Sequence, residues 1–232
     1  MKQNAKNAAP MRPPFGGSRA FTLAELLTVI AIIGVMMAAG IPAFQAMKQD
    51  GDVTRAAYEI SGALEAARAY AMAKGTYVFV GFAERDGSDP ARDGTGQIVM
   101  VTFGSKDGSR DFGTGHANLT PLSGPRRITN LRLEDGLPNS GAMSRPVVQE
   151  AYRMASEAFA APEAITHAGY ELTKVIQFTP RGAAGVPART TLIPQWMEIG
   201  LTADRGGAAG DDRNGAVVML DGVTGSTKIY RP

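Results

Sequence analysis

The sequence predicts an α+β fold in which one long N-terminal helix packs on a mostly antiparallel β-sheet. Two observations lead to this prediction. Apolar residues dominate from Phe21 to Phe44 and then recur at helical spacing as far as Ala71. After Gly75 the composition changes to short β-branched and aromatic runs, separated by turns rich in Gly and Asp. A helical half followed by a run of strands is typical of α+β proteins.

The segment 21–44 has the composition of a membrane-spanning helix. Nineteen uncharged residues follow from Leu26, and about twenty apolar residues suffice to cross a bilayer core. Glu25 is the one acid at the start of this segment. A carboxylate at the mouth of a membrane span is costly unless a partner neutralises it, so Glu25 is predicted to be functional.

An amphipathic helix is predicted to continue over 45–75. Its apolar residues recur at steps of three and four, which favours a helix packed on its own domain. A coiled coil with a partner is the alternative, but the stripe covers barely three heptads. Gly40-Ile41-Pro42 is expected to interrupt and kink the helix, and Gly75 to end it in a left-handed conformation. The stripe consists of Val53, Ala57, Ile60, Leu64, Ala67 and Ala71.

The remainder, 76–232, is predicted to be a β-rich domain. A hairpin with a long loop opens it, because ERDGSDPARDGTG lies between two strand-like runs. A second helix is expected over Ser144 to Phe159, where Pro146 suits a first turn. The predicted strands are Thr76 to Ala83, Gln97 to Phe103, Ile128 to Leu133, Leu172 to Thr179, Thr191 to Leu201, Ala216 to Leu220 and Ser226 to Arg231.

Charge and cysteine content restrict the function classes. The chain carries 24 basic and 22 acidic residues and no cysteine. Four of the bases and none of the acids lie in residues 1–20, so 20 bases remain against 22 acids in the rest. The part after residue 20 therefore lacks the overall positive field typical of nucleic-acid binding. The basic residues before the apolar segment favour a cytoplasmic N-terminus, with everything after Phe44 exported.

The N-terminal residues resemble those of type IV prepilins and type II secretion pseudopilins. Members of that family have a short basic leader, then Phe-Thr-Leu-x-Glu and a long apolar helix. Here the motif is Phe21, Thr22, Leu23, Ala24 and Glu25 behind a leader of residues 1–20. Ala20 stands where the family usually has Gly, and the proline that many pilins carry corresponds to Pro42.

This resemblance implies a function and a set of partners. A prepilin peptidase would cut between Ala20 and Phe21, the new Phe21 amine would be methylated, and Glu25 and Pro42 would serve assembly. The chain would be a minor pilin or pseudopilin, anchored in the inner membrane with a periplasmic domain. Its partners would be other pilins, membrane lipid and an assembly platform, before it joins a pilus or pseudopilus.

A second resemblance points to the H-type minor pseudopilins. The helix end with Leu64, Ala67 and Arg68 and the late strand with Phe178, Pro180 and Gly182 resemble patterns in that subfamily. The closing sequence AVVMLDGVTGSTKIYRP resembles its final pair of strands. An unclassified minor pilin is the alternative.

No residue constellation predicts catalysis. The histidines His116 and His167 lie fifty residues apart, and the sequence has no nucleophile elbow, Walker loop or zinc-protease motif. No cofactor is expected. Calcium is the exception left open, since some pseudopilins hold it between loops. The alternative function is a membrane-tethered minor pilin that captures DNA or another ligand, although the sequence shows no stripe of basic and aromatic residues to support it. The acidic loop residues are Asp86, Asp89, Asp93, Asp204, Asp211 and Asp212.

Overall fold

A computed structural model describes residues 21–159, 163–187, 193–204 and 215–231, with only the backbone for 39–50. The chain divides into two compact units, Met1–Phe44 and Gln45–Pro232. Each unit is considered by itself below.

The helix α1 comprises Leu23–Lys74. The expected interruption at Gly40-Ile41-Pro42 is wrong, because helical backbone continues through all three residues, whereas the expected kink stays a prediction. A proline removes one backbone donor and can kink a helix without ending it. In the described part of the chain, no helix is both long and apolar enough to span a membrane.

Gly75 ends α1 as predicted. Its φ of 63° lies in the left-handed region, which glycine adopts without a steric penalty. The amide of Thr76 then donates to the carbonyl of Ala71 at 3.2 Å, the long hydrogen bond of a Schellman-type cap.

The predicted apolar stripe of α1 forms the centre of the domain core. All six of its residues are buried, together with Ala56 and Ala63. They pack against the sheet through side chains such as Val80, Phe82 and Ile199. The helix therefore packs on its own domain.

The domain contains a nine-stranded sheet in the order β11-β10-β9-β4-β2-β1-β7-β8, with β3 paired to β2. Every ladder in it is antiparallel, and β5 and β6 form a separate hairpin. The strands are β1 Val78–Asp86, β2 Gly96–Ser105, β3 Leu119–Pro121, β4 Arg126–Leu133, β5 Ile165–His167, β6 Tyr170–Leu172, β7 Lys174–Phe178, β8 Ala184–Gly185, β9 Trp196–Ala203, β10 Ala216–Asp221 and β11 Thr227–Tyr230.

The predicted strands are confirmed, with shifted ends. The run from Leu172 to Thr179 belongs to two strands, β6 and β7, and the predicted start of the next strand at Thr191 lies outside the described residues. The first hairpin, β1–β2, has its expected long loop. The strands β3, β5 and β8 were not predicted, because two or three residues are too few to show a period of two.

The helix predicted over Ser144 to Phe159 is wrong. One 3-10 turn, Gly141–Met143, lies just before this region, and another, Glu150–Tyr152, lies within it. Its local backbone bonds are isolated turns, such as that from the Arg153 amide to the Glu150 carbonyl, and the amide of Met154 donates to the sheet, at the carbonyl of Glu198, at 2.8 Å. The predicted apolar stripe is also split, because Val147 is 83% exposed and Met154 is buried.

A buried ion pair anchors this irregular segment on β9. Arg145 and Glu198 approach to 2.8 Å, with side chains only 4% and 6% exposed. Arg145 also donates to the carbonyls of Leu137 and Pro138. Because a buried guanidinium needs acceptors for its donors, these bonds favour an irregular path over a helix.

The two turns at the end of the sheet meet beside α1. Gly182, in the Phe178-x-Pro180-x-Gly182 turn, has a φ of 86°, and Gly225, in the β10–β11 turn, has a φ of 67°. A Cβ atom at Gly225 would overlap the carbonyl oxygen of Gly182. Glu65 of α1 accepts hydrogen bonds from the amide and the hydroxyl of Thr227. The closing hairpin is thus fixed to the helix, and the predicted β10–β11 pair is confirmed.

Candidate functional site

The N-terminal part of α1 is an apolar helix that no other part of its own unit covers. Every described side chain from Phe21 to Ala38 is exposed, and Phe21 itself is 80% exposed. Soluble proteins rarely expose contiguous apolar patches of this kind, and such patches mark contacts with proteins or membranes. Its large apolar side chains are Phe21, Leu23, Leu26, Leu27, Val29, Ile30, Ile32, Ile33, Val35, Met36 and Met37.

Thr22 and Glu25 cap the start of this helix reciprocally. The Thr22 hydroxyl accepts a hydrogen bond from the Glu25 amide at 3.2 Å. The Glu25 carboxylate accepts from the Thr22 amide and from the Thr22 hydroxyl, both at 2.9 Å. This is the arrangement of a capping box, in which two otherwise unpaired backbone donors of a first turn are satisfied. The negative charge also lies at the positive end of the helix dipole.

Thr22 is a site residue that the sequence analysis missed as a structural element. Thr-x-x-Glu before an apolar run is itself the signature of a capping box, so the sequence contains the signal for this role. The second threonine, Thr28, donates to the Glu25 carbonyl at 2.9 Å. The motif therefore has a purely local role in addition to any role between molecules.

The other predicted site residues are distributed as follows. Ala20, on the leader side of the predicted cut, lies outside the described residues. Phe21 is exposed directly before the capped turn. Pro42 lies within α1, in the stretch where only the backbone is described. Phe21 and Glu25 are thus placed at the same end of one helix.

Three of the acidic loop residues, Asp86, Asp89 and Asp93, bind groups within or beside their own loop. Asp86 accepts hydrogen bonds from Ser88, and Asp93 pairs with Arg85 at 2.7 Å. Asp89 pairs with Arg92. Asp211 and Asp212 lie outside the described residues, and no group of three or more potential ligands is suitably placed for a metal ion in the part that is described.

The two histidines lie in different surroundings. His116 is 3.8 Å from Glu163 and packs on Phe112, whereas His167 contacts the edge of Phe103. Among the contacts of the described residues, neither histidine is paired with the other or with a nucleophilic side chain.

A side-chain network organises the loop between β2 and β3. The Asn118 amide donates to Asp107 at 2.7 Å and to the Asp111 carbonyl at 2.6 Å. Asp107 also accepts from the Ser109 amide and the Ser105 hydroxyl, and these bonds hold its pKa well below the usual value. The sequence analysis did not single out this network.

The chain thus combines an exposed apolar helix that has a capped acidic start with a β-rich domain. The chain is 35% identical over 140 residues to a fimbrial protein of Pseudomonas aeruginosa. The aligned region covers 55% of this chain and 88% of that relative. A second fimbrial protein of Pseudomonas aeruginosa is 35% identical over 111 residues, covering 39% of this chain and 71% of the relative. The chain therefore belongs to the fimbrial protein family, the pilins. No family model and no solved structure matches it.

Proposed function

We propose that this protein is a minor pilin or pseudopilin of the type IV and type II secretion class. The observation that carries the proposal is the uncovered apolar helix from Phe21 to Ala38, which begins at a Thr22–Glu25 capping box. Such a helix needs an apolar environment. A membrane before assembly and a bundle of neighbouring helices afterwards both provide one.

The proposal includes processing of residues 1–20. The leader is removed after Ala20 by a prepilin peptidase of the inner membrane, and the new amine of Phe21 is methylated. The basic leader remains cytoplasmic and the domain after Phe44 lies in the periplasm. The role is structural, with no catalytic step.

Glu25 is proposed to require the cation that cleavage creates. An ionised carboxylate in hydrocarbon is costly, and a nearby amine offsets part of that cost. In the filament, the amine of Phe21, from the same or an adjacent subunit, would meet Glu25 and set the axial register. Unprocessed protein would lack this cation and stay out of the filament.

Gly40 and Pro42 are proposed to make α1 locally yielding during assembly. The proline lacks a backbone donor, and a glycine within a helix costs about 1 kcal/mol relative to alanine. A filament map with unbroken helix through residues 34–44 would contradict this part of the proposal.

The H-type assignment is also a proposal. It is supported by the contact between the turn at Phe178-x-Pro180-x-Gly182 and the closing hairpin, which lie together beside α1. The two sequence patterns that resemble the H-type subfamily thus belong to one structural feature. Which machine the subunit serves is identified by the partner pilins that co-purify with it.

Intact-mass analysis of protein extracted from membranes tests the proposal. The expected species starts at Phe21 and carries the mass of one added methyl group. A chain that retains Met1, or one that begins near Gly40, would contradict it. The second result would indicate an ordinary secretory signal instead of a pilin leader.

A further inference from the structure

A groove runs along the exposed side of α1 within the domain. Its volume is about 220 Å³, and it lies between the helix and the strands β2 and β4. We call it the α1 groove. Its main lining residues are Ala63, Ala66, Ala67, Tyr70, Leu122 and Arg126. The groove is thus lined by apolar side chains except for the cation of Arg126 and the hydroxyl groups of Tyr70, Thr102 and Ser123.

Arg126 has no acidic partner in the described part of the chain. Its side chain is exposed, and no ion pair includes it. The adjacent Arg127 differs, since its guanidinium donates to the Tyr170 hydroxyl at 2.7 Å and stacks on the same ring. The α1 groove therefore presents a single free positive charge.

The helix face beside the groove is also uncharged. Between Arg55 and Lys74, every exposed residue of α1 is neutral, and Tyr58 is 66% exposed. The charged residues in this stretch are partly buried, and Glu65 binds both Arg68 and Thr227. A helix that faces only solvent normally carries charges on its outer face. The exposed residues are Tyr58, Gly62, Ala66, Ala69, Tyr70, Met72 and Ala73.

We propose that the α1 groove contacts the first turns of the segment Phe21–Ala38 of a second copy of this chain, with Glu25 of that copy against Arg126. The proposal rests on the subunit function above and names the contact that it uses. The chemistry of the two surfaces is complementary. The segment is apolar with one acid, and the groove is apolar with one unpaired base.

The local geometry of Glu25 permits this contact. Its Oε2 atom accepts both hydrogen bonds of the capping box, whereas Oε1 accepts none within the described residues. A guanidinium can therefore reach Oε1 while the cap remains closed. Arg126 then acts beside the Phe21 amine as a second cation for Glu25.

The symmetry of this contact favours a filament. The segment and the groove are different surfaces of one chain, so the contact is heterologous and each copy keeps one of each surface free. Such contacts continue in an open helix unless the rotation closes a ring.

Cysteine cross-linking tests the contact directly, because the chain has no cysteine of its own. Full-length protein is expressed with its partner pilins as two tagged populations, one with Leu26→Cys and the other with Ala66→Cys. Filaments are sheared and oxidised, and disulfide-linked dimers carrying both tags are counted. Thr173→Cys, at an exposed position outside the groove, replaces Ala66→Cys as the control.

The expected result is a mixed dimer with Ala66→Cys and about tenfold less with Thr173→Cys. Arg126→Glu should lower the yield about tenfold, because a like-charge contact replaces an attractive one. Arg126→Lys should largely preserve it. Arg181→Glu, at another exposed arginine, should leave it unchanged.

Two results would overturn the proposal in distinguishable ways. If filaments contain the protein but the yield is equal for both cysteines or insensitive to Arg126→Glu, the groove contact is wrong and the subunit function stands. If the protein is absent from filaments in every variant and in the wild type, both fail together. Equal melting temperatures of wild type and Arg126→Glu would show that folding does not cause the loss.

Discussion

Two parts of the same helix both carry apolar side chains, but these differ in exposure. Residues 21–38 of α1 expose all of their side chains, whereas the stripe from Val53 to Ala71 is buried against the sheet. The second part obtains its apolar contacts from its own domain, and the first part obtains none within its own unit. One apolar run therefore stabilises the fold, and the other remains available for binding.

The largest expected difference comes from the same substitution in each part. Leu64→Ala should lower the free energy of unfolding by about 2–5 kcal/mol, because it leaves a cavity in a closely packed core. Leu27→Ala removes an exposed side chain and should change it by less than about 0.5 kcal/mol. Denaturant unfolding of the detergent-solubilised full chain, followed by the single tryptophan, measures both values. Equal losses would show that residues 21–38 also contribute to the folded domain.

A second comparison uses two glycines of the domain. Gly225→Ala should destabilise by about 1–3 kcal/mol, because its φ is 67° and the new Cβ would overlap the Gly182 carbonyl. Gly62→Ala, on the exposed face of α1 with open space around it, should stabilise by about 0.5–1 kcal/mol. Melting temperatures that move in opposite directions would agree with this account. A fall for Gly62→Ala would indicate that the exposed face has an unrecognised intramolecular contact.

The cap of the exposed part can be removed without altering its charge. Thr22→Ala should cost about 1 kcal/mol of local helix stability, because the Glu25 amide loses its acceptor. Thr22→Ser keeps the hydroxyl and should behave like the wild type. Hydrogen exchange of the first turn in detergent reports the difference. Faster exchange is expected for Thr22→Ala alone, and unchanged exchange would mean that the capping box does not persist in an apolar environment.

The smallest effect is a pH dependence in the β2–β3 loop. The pKa of Asp107 is depressed by its hydrogen bonds from Ser109 and Asn118, so the folded state favours the ionised form. The stabilisation is present above the unfolded pKa of about 3.8 and is lost as the pH falls through the folded value. Asp107→Asn should therefore lower the melting temperature at pH 7 and converge with the wild type in strong acid. A constant difference at all pH values would contradict this origin.

The sequence predicted the regular elements better than the irregular ones. The α1 stripe and the long strands have periodic apolar patterns over several helical turns or strand residues. The structure forms the helix and the strands that these patterns predict. The segment 144–159 also has a helical pattern, but the Arg145–Glu198 pair and the Met154–Glu198 backbone bond override it. Those partners come from a strand some fifty residues later in the chain, so local periodicity contains no information about them.

The candidate site was predicted in part. The motif identified Phe21 and Glu25, because a lone acid at the start of an apolar run is unusual at the level of composition. The reciprocal cap by Thr22 was available from the sequence as a Thr-x-x-Glu signature. The environment of Arg126 could not be predicted, since it depends on which described residues folding brings around it, and none of these forms an ion pair with it.

The charge of Glu25 provides the most direct test of the central claim that residues 21–38 serve assembly. Glu25→Gln removes the charge but can keep the capping box, since glutamine also fills that position. Co-purification of the variant with its partner pilins is measured in detergent and in sheared filaments, with the melting temperature as a folding control. The account predicts an unchanged melting temperature and a sharp loss from filaments. Incorporation at the wild-type level would contradict it.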